Sequence, residues 1–284
     1  MPTQTPKEGA SRRDFLALAA ATAAATAATG LGTAAAASRE RRLKLGIASY
    51  SLRKFPLERV LEVCRHLDVR YLTLKDMHLP LTDTPAQIQQ ALREIEAAGI
   101  TLMGGGVIYM KNDPAAARKA FEYARLARFP LIVGAPDPDA LDLVEGLARE
   151  FDMRVAVHNH GPEDKSYPAP QDAYALIKGR DARIGLCIDV GHTMRAGVEP
   201  VAAVRECRDR VFDLHLKDLA VKTDKDSQVP VGRGVLDVPG LFRALLEIGF
   251  SGHAALEYEI EPDDPVAGMR ESLAYMRGVL DGLA

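Results

Sequence analysis

Four segments in the second half of the chain combine imidazole, carboxylate and ammonium groups at spacings that suit a shared polar centre. His158-Asn159-His160 sets two imidazoles two residues apart, so in an extended strand both face the same side. Asp189-Val190-Gly191-His192 places a carboxylate three residues before an imidazole. Asp213, His215 and Lys217 alternate, as do Glu257 and Glu259. One such residue at a strand end is usually structural or solvated; four segments in series carry the signal. Gathered together, these groups would repel one another or lose hydration unless a cation held them. Carboxylate oxygens and imidazole nitrogens suit one divalent metal, Mn, Co, Zn or Mg, without choosing among them. A fifth polar cluster, Lys75-Asp76-Met77-His78, reads either as a solvated loop or as a substrate contact through Lys75 and His78.

The elements that would position these residues alternate regularly. Apolar runs at Leu43 to Ala48, Tyr71 to Lys75, Thr101 to Met103, Leu131 to Gly134, Val155 to His158, Ile184 to Asp189, Val211 to Leu216 and Ala254 to Tyr258 read as eight strands. Helical patterns separate them. Leu57, Val60, Leu61, Cys64 and Leu67 share one face. Pro85 opens a helix through Ile88, Leu92 and Ile95 that stops at Gly99, and others run from Pro114, Pro138, Pro239 and Pro265. Eight such units predict an α/β fold, a closed (β/α)8 TIM barrel, in which strand C-terminal ends converge on one mouth. An open doubly wound sheet would carry a glycine-rich phosphate loop after its first strand. The sequence there is Ser49-Tyr50-Ser51-Leu52-Arg53, and Gly104-Gly105-Gly106 lacks the fingerprint spacing.

A net charge of −3 and the lack of a basic–aromatic cluster argue against nucleic acid as a partner. Cys64, Cys187 and Cys207 are odd in number and widely spaced, which predicts small core residues rather than disulfides. Near the start, Ser11-Arg12-Arg13-Asp14-Phe15-Leu16 resembles a twin-arginine export signal, followed by an alanine-rich run and Thr33-Ala34-Ala35-Ala36-Ala37. Residues 1–37 are therefore expected to be a leader and residues 38–284 the barrel, with a periplasmic or otherwise exported location. The run is too rich in alanine for a spanning helix, so no stable membrane insertion is expected after cleavage. Self-association stays open.

Ile188-Asp189-Val190-Gly191-His192, His215-Leu216-Lys217-Asp218, Gly232-Arg233-Gly234 with Asp237, and Leu256-Glu257 resemble, in order and spacing, the xylose isomerase-like barrel family of sugar phosphate isomerases and epimerases. The resemblance implies one divalent metal held by Glu, Asp, His and Glu, the last three matching Asp189, His215 and Glu257. Where that family has a glutamate at the end of the fifth strand this chain has His158, so the implied set is His158, Asp189, His215 and Glu257, or three ligands with additional water. It further implies substrate contact by His192 and, through the Gly-Arg-Gly motif, by Arg233; His160 would join them from the side of His158. Lys75 to His78 together with Gly104 to Tyr109 resembles an exported branch of the family thought to act on 3-keto sugars or their glycosides.

The chemistry expected of such a site is abstraction of a proton from carbon next to a metal-polarised carbonyl. Glu257, Glu259, His158 and Lys217 are all candidate bases, and Lys217 can instead polarise a substrate oxygen. Reprotonation elsewhere gives isomerisation or epimerisation; loss of a β-substituent gives lyase chemistry, extending to a hydrolase outcome on glycosides. The competing readings are a metal-dependent endonuclease of the same superfamily, disfavoured by the charge, and a sugar-binding protein without catalysis.

Overall fold

In the computed structural model, residues 43–283 are described; the twin-arginine-like motif and the boundary at residue 37 lie outside them. Eight parallel strands close into a barrel: β1 (Lys44–Ala48), β2 (Tyr71–Leu74), β3 (Thr101–Met110), β4 (Leu131–Pro136), β5 (Arg154–His158), β6 (Ile184–Asp189), β7 (Val211–Leu216) and, after the short hairpin β8 (Asp218–Leu219) and β9 (Gln228–Val229), β10 (His253–Leu256). The ring closes by pairing of β1 with both β2 and β10. Helices α1 (Leu57–His66), α2 (Pro85–Ala97), α3 (Pro114–Leu126), α4 (Leu141–Phe151), α5 (Pro170–Ile177), α6 (Val190–Arg195), α7 (Pro200–Glu206), α8 (Val238–Glu247) and α9 (Val266–Gly282) connect and cover them.

Local chemistry starts α2 and α3 where the sequence predicts, whereas the helix expected from Pro138 begins at Leu141 after a single 3-10 turn. Thr84 caps α2 in a reciprocal pair with Gln87, and Asp113 caps α3 through Ala115 and Ala116. Proline in the first turn of α2, α3, α5, α7 and α8 supplies a pre-set φ at a position that needs no N–H. The strands β4, β6 and β7 are buried along their whole length, because helices cover one face and the barrel fills the other. The main core lies between strands and helices. Among the described residues, no helix is long and apolar enough to cross a membrane.

The structure departs from expectation in a few places. The third strand does not stop at Met103 but runs through Gly104, Gly105 and Gly106 to Met110. The glycines fit here because their surroundings leave no room for side chains: a Cβ on Gly105 would meet the Phe129 ring, and one on Gly106 the Val133 carbonyl of β4. The last barrel strand is His253–Leu256, so Glu257 and Glu259 follow it rather than sit within it. The one-turn helix α6 and the β8–β9 hairpin carry too few residues for periodicity to reveal.

Asp218 shows how a motif residue can serve the fold. Its carboxylate accepts backbone N–H groups from Leu219 (2.9 Å), Gly232 (2.9 Å), Gly234 (3.0 Å) and Leu236 (3.0 Å), folding the long loop after β9 against β8. Asp218→Ala would leave these donors unmatched in a buried setting. The expected loss is on the order of 3 kcal/mol, read as a lower urea midpoint with an unchanged slope.

Candidate active site

Parallel register aligns the chemistry. Asp189 pairs in register with His215, His158 with Cys187, and Ala255 with His215. The alternation along β7 and β10 then stacks Asp213 and His253 deepest, His215 and Asp189 above them, and Lys217 and Glu257 at the mouth.

His158, Asp189, His215 and Glu257 converge. One ligand atom from each lies within 4.8 Å of all the others, and all four residues are buried. His158 Nε2 is 3.0 Å from His215 Nδ1 and 3.8 Å from Asp189 Oδ2; His215 Nδ1 is 3.3 Å from Glu257 Oε1. Lys217 Nζ reaches Asp189 Oδ2 at 3.0 Å and Glu257 Oε2 at 2.8 Å, and pairs closely with Glu259. Burial opposes the charge on Lys217, but Asp189, Glu257 and Glu259 outweigh it and hold the ammonium well above the ordinary lysine range. Burial likewise opposes the Glu257 carboxylate, yet Lys217 and His215 hold it well below the usual carboxylate range. His158 is kept well below the imidazole range by burial and by His160 and His215, so it is neutral with a lone pair to offer.

A divalent cation fits this donor set. Metal bonds of about 2.1 Å place neighbouring donors roughly 3–4.3 Å apart, close to the spread found here. Asp189 Oδ2 is buried and accepts no well-directed hydrogen bond. Charge is consistent too: the carboxylates of Asp189, Glu257 and Glu259, one ammonium and one dication sum to zero when both imidazoles are neutral.

The backbone positions these groups through residues that sequence reasoning passed over. Asp189 Oδ1 accepts the His192 N–H (2.8 Å) and caps α6, which turns its other oxygen towards the cluster. Asn159 faces away from its two histidine neighbours. Its Oδ1 accepts the Asp189 N–H (2.9 Å), while Nδ2 donates to Asp189 O (3.3 Å) and Thr193 Oγ1 (3.2 Å). Gln228 in β9 donates to Glu257 O (2.9 Å) and accepts the Glu259 N–H (2.8 Å). Ser51 accepts the Tyr258 N–H (2.8 Å) and donates to Leu256 O (3.1 Å). Gly191 is required by close approach: a Cβ there would lie 2.2 Å from Cγ of Lys217. No periodic signal marks Gln228 or Ser51, since each acts through a contact across the barrel.

The remaining expected residues divide. His192 stands at the rim with Nε2 3.9 Å from Asp189 Oδ2. His160 is half-buried, its ring 4.5 Å from that of His158 and stacked on the exposed Tyr109 at 5.8 Å. Lys75 lies close enough to feel the charge of Glu257 and Glu259, with Nζ 5.6 Å from the centre of the Tyr50 ring. Two of them lie away from the cluster. His78 is buried in the wall, with Nδ1 2.8 Å from Ser49 Oγ and Nε2 3.0 Å from Phe55 O, so both ring nitrogens are used by the loop after β1. Arg233 is turned to α9, where it pairs with Glu271 (Nη2 to Oε2, 2.8 Å), because Asp218 draws the flanking glycines inward and leaves the arginine outside.

Asp213 belongs to a different layer from His215. Its Oδ1 is 3.3 Å from His253 Nε2, which also meets Thr73 Oγ1 at 2.9 Å across Gly46. Burial pushes Asp213 up to about 6 and His253 down to about 3, so at neutral pH the imidazole is uncharged while the carboxyl is still mostly ionised. All three cysteines are free and buried, as expected for core residues, although Cys187 lies beside His158 and His215 rather than in the helix layer. A cavity of about 390 Å³ opens next to the cluster, lined by Lys217, Glu259, His192, Arg195, Gln228 and Ile260 among others.

Residues 139–279 match the family described as xylose isomerase-like TIM barrel. The closed barrel makes the chain a TIM barrel, and the matched stretch, just under half of it, is similar to the xylose isomerase-like family. Inosose dehydratase of Lacticaseibacillus casei is 27% identical over 131 residues, 40% of this chain and 43% of that protein. Inosose dehydratase of Geobacillus kaustophilus strain HTA426 is 27% identical over 148 residues, 44% of this chain and 47% of that protein. The chain thus matches less than half the length of these curated relatives. Among solved structures, the IolI protein with a bound zinc atom superposes with a TM-score of 0.72 at 16% identity, covering 84% of this chain and 99% of that one. At that identity the likeness is one of fold.

Proposed function

We propose that this chain is a divalent-metal-dependent enzyme that removes a proton from the carbon next to a carbonyl of a sugar-like substrate. The observation that carries the reading is the convergence of His158, Asp189, His215 and Glu257 within 4.8 Å, beside an open cavity. The zinc bound in the structurally similar IolI protein supports a metal at such a centre. A divalent cation bound by these four residues supplies Lewis acidity that lowers the barrier to ionising the neighbouring C–H.

The protein's own groups then divide the work. Glu259 is the carboxylate of the cluster with an open face, 34% exposed against 9% for Glu257 and none for Asp189, and it lines the cavity. It takes the proton. Lys217 holds Glu259 in place. His192 faces the same space and donates to a substrate oxygen. Tyr109 and His160 form a stacked rim against which a ring can lie. The curated relatives, named inosose dehydratases, favour loss of a β-hydroxyl as the outcome, with epimerisation the product of reprotonation at the same carbon. Export through the twin-arginine route remains part of the proposal, on the strength of Ser11 to Leu16.

The test is solvent isotope exchange. Full-length protein loaded with Mn, Zn, Co or Mg is incubated in D₂O with inososes, ketoses and 3-oxidised glycosides. Deuterium is expected at the carbon next to the carbonyl of at least one of them, lost on chelation and regained on adding metal. Product NMR separates elimination from epimerisation. Absence of exchange with every compound and metal would defeat the reading.

A further inference from the structure

We propose that Arg195 is a positioning residue that fixes His192 in its Nε2–H form, so that the ring presents a donor to the metal-binding cluster and its substrate. This rests on the reading of the cluster as a reaction centre and deepens it by naming how its rim donor is set.

A guanidinium can donate hydrogen bonds but cannot accept them. Arg195 Nη1 lies 3.1 Å from His192 Nδ1, so Nδ1 is the acceptor and carries a lone pair. In a neutral imidazole the single proton must then be on Nε2. That nitrogen points towards Asp189 Oδ2 at 3.9 Å, too far for a hydrogen bond, and the ring lines the cavity beside Lys217 and Glu259. The N–H is therefore free for an incoming oxygen.

The arginine is itself held. Its side chain is 8% exposed and its Nη2 pairs closely with Glu163, in the loop that follows β5. Gly161 in that loop has φ +85°, and a Cβ there would come within 3.2 Å of Arg195 Nη1 and 3.3 Å of His192 Nδ1. The loop thus packs edge-on against the arginine–histidine contact, with no room for a side chain between. Pairing with Glu163 offsets the charge of Arg195 and anchors the guanidinium against the histidine ring. His192 sits in the first turn of α6, and its backbone N–H is taken by Asp189, so the ring is fixed from both ends.

Long-range ¹H–¹⁵N NMR of histidine-labelled full-length protein, with His192 assigned by His192→Gln, reads which ring nitrogen is protonated. Wild type is expected to show Nε2–H, and Arg195→Lys to keep it, because an ammonium also donates to Nδ1. The exchange Arg195→Glu with Glu163→Arg preserves the ion pair but sets a carboxylate against the ring, and is expected to move a proton onto Nδ1. Nδ1–H in wild type overturns the proposal, and this arm needs no variant to fold. An unchanged Nε2–H form in the folded exchange variant overturns it as well. Since the spectrum is recorded without turnover, its outcome is independent of the deuterium-exchange result.

Discussion

Replacing Lys217 with methionine is expected to tighten binding of a divalent cation while making the metal-free protein less stable. The ammonium sits where the carboxylates of Asp189 and Glu257 can both reach it, at 3.0 and 2.8 Å. It is buried, so water does not replace it. Methionine keeps the aliphatic stem that packs over Gly191 and removes the charge. Three carboxylates are then left without their counter-charge, and losing one partner of a buried ion pair costs about 3–5 kcal/mol. For a domain of this size that lowers the melting temperature by roughly 10 °C. A dication restores the missing charge, so most of the loss should return when metal is added. With the tethered competitor gone, affinity should rise on the order of tenfold, which corresponds to about 1.4 kcal/mol. Calorimetry with and without metal, combined with titration against a chelator of known affinity, measures both effects. Weaker metal binding by Lys217→Met would show instead that the ammonium helps to assemble the carboxylates.

The second large effect separates the two glutamates that follow β10. Glu257→Gln removes a donor at the centre of the cluster, one that also pairs with His215 and Lys217. Metal affinity should fall by about 100-fold or more, and solvent exchange should fall with it. Glu259→Gln leaves the four converging donors intact, so metal binding should change by no more than a few-fold. Its exchange rate should nonetheless drop by about 10²–10⁴, the usual contribution of a general base. A Glu259→Gln protein that exchanges protons at the original rate would move the base to Glu257 or to His158.

Much of the fold was legible in the chain. Eight apolar runs alternating with amphipathic helices require a closed parallel sheet under helices, and the closed ring has that order. The third strand extends past Met103 through the glycines at 104–106, because local propensity cannot know that β2 and β4 flank them. The site divides in the same way. Period-two alternation in His158-Asn159-His160 and in Asp213 to Lys217 tells which residues share a face, and register does the rest. Alternation does not tell depth, so Asp213 looked equivalent to His215 although it pairs with His253 below. Nor does polarity tell direction: His78 and Arg233 were as polar as Lys75, yet one is spent on the wall and the other on α9.

By itself, the sequence determined the eight barrel strands and the longer helices between them, the strand ends that carry chemistry, and the side of each strand on which the donors lie. These follow from backbone periodicity and from the free-energy cost of burying polar groups, which act over a few residues. Tertiary structure alone decided that an ammonium from β7 sits among carboxylates from β6 and β10, and that Asp218 turns Arg233 away. It also decided that the loop carrying Gly161 and Glu163 packs against the Arg195–His192 contact. The Asp218 and Lys217 contacts join residues from 14 to 42 positions apart, and their energies depend on distances of a few ångströms that no local pattern encodes.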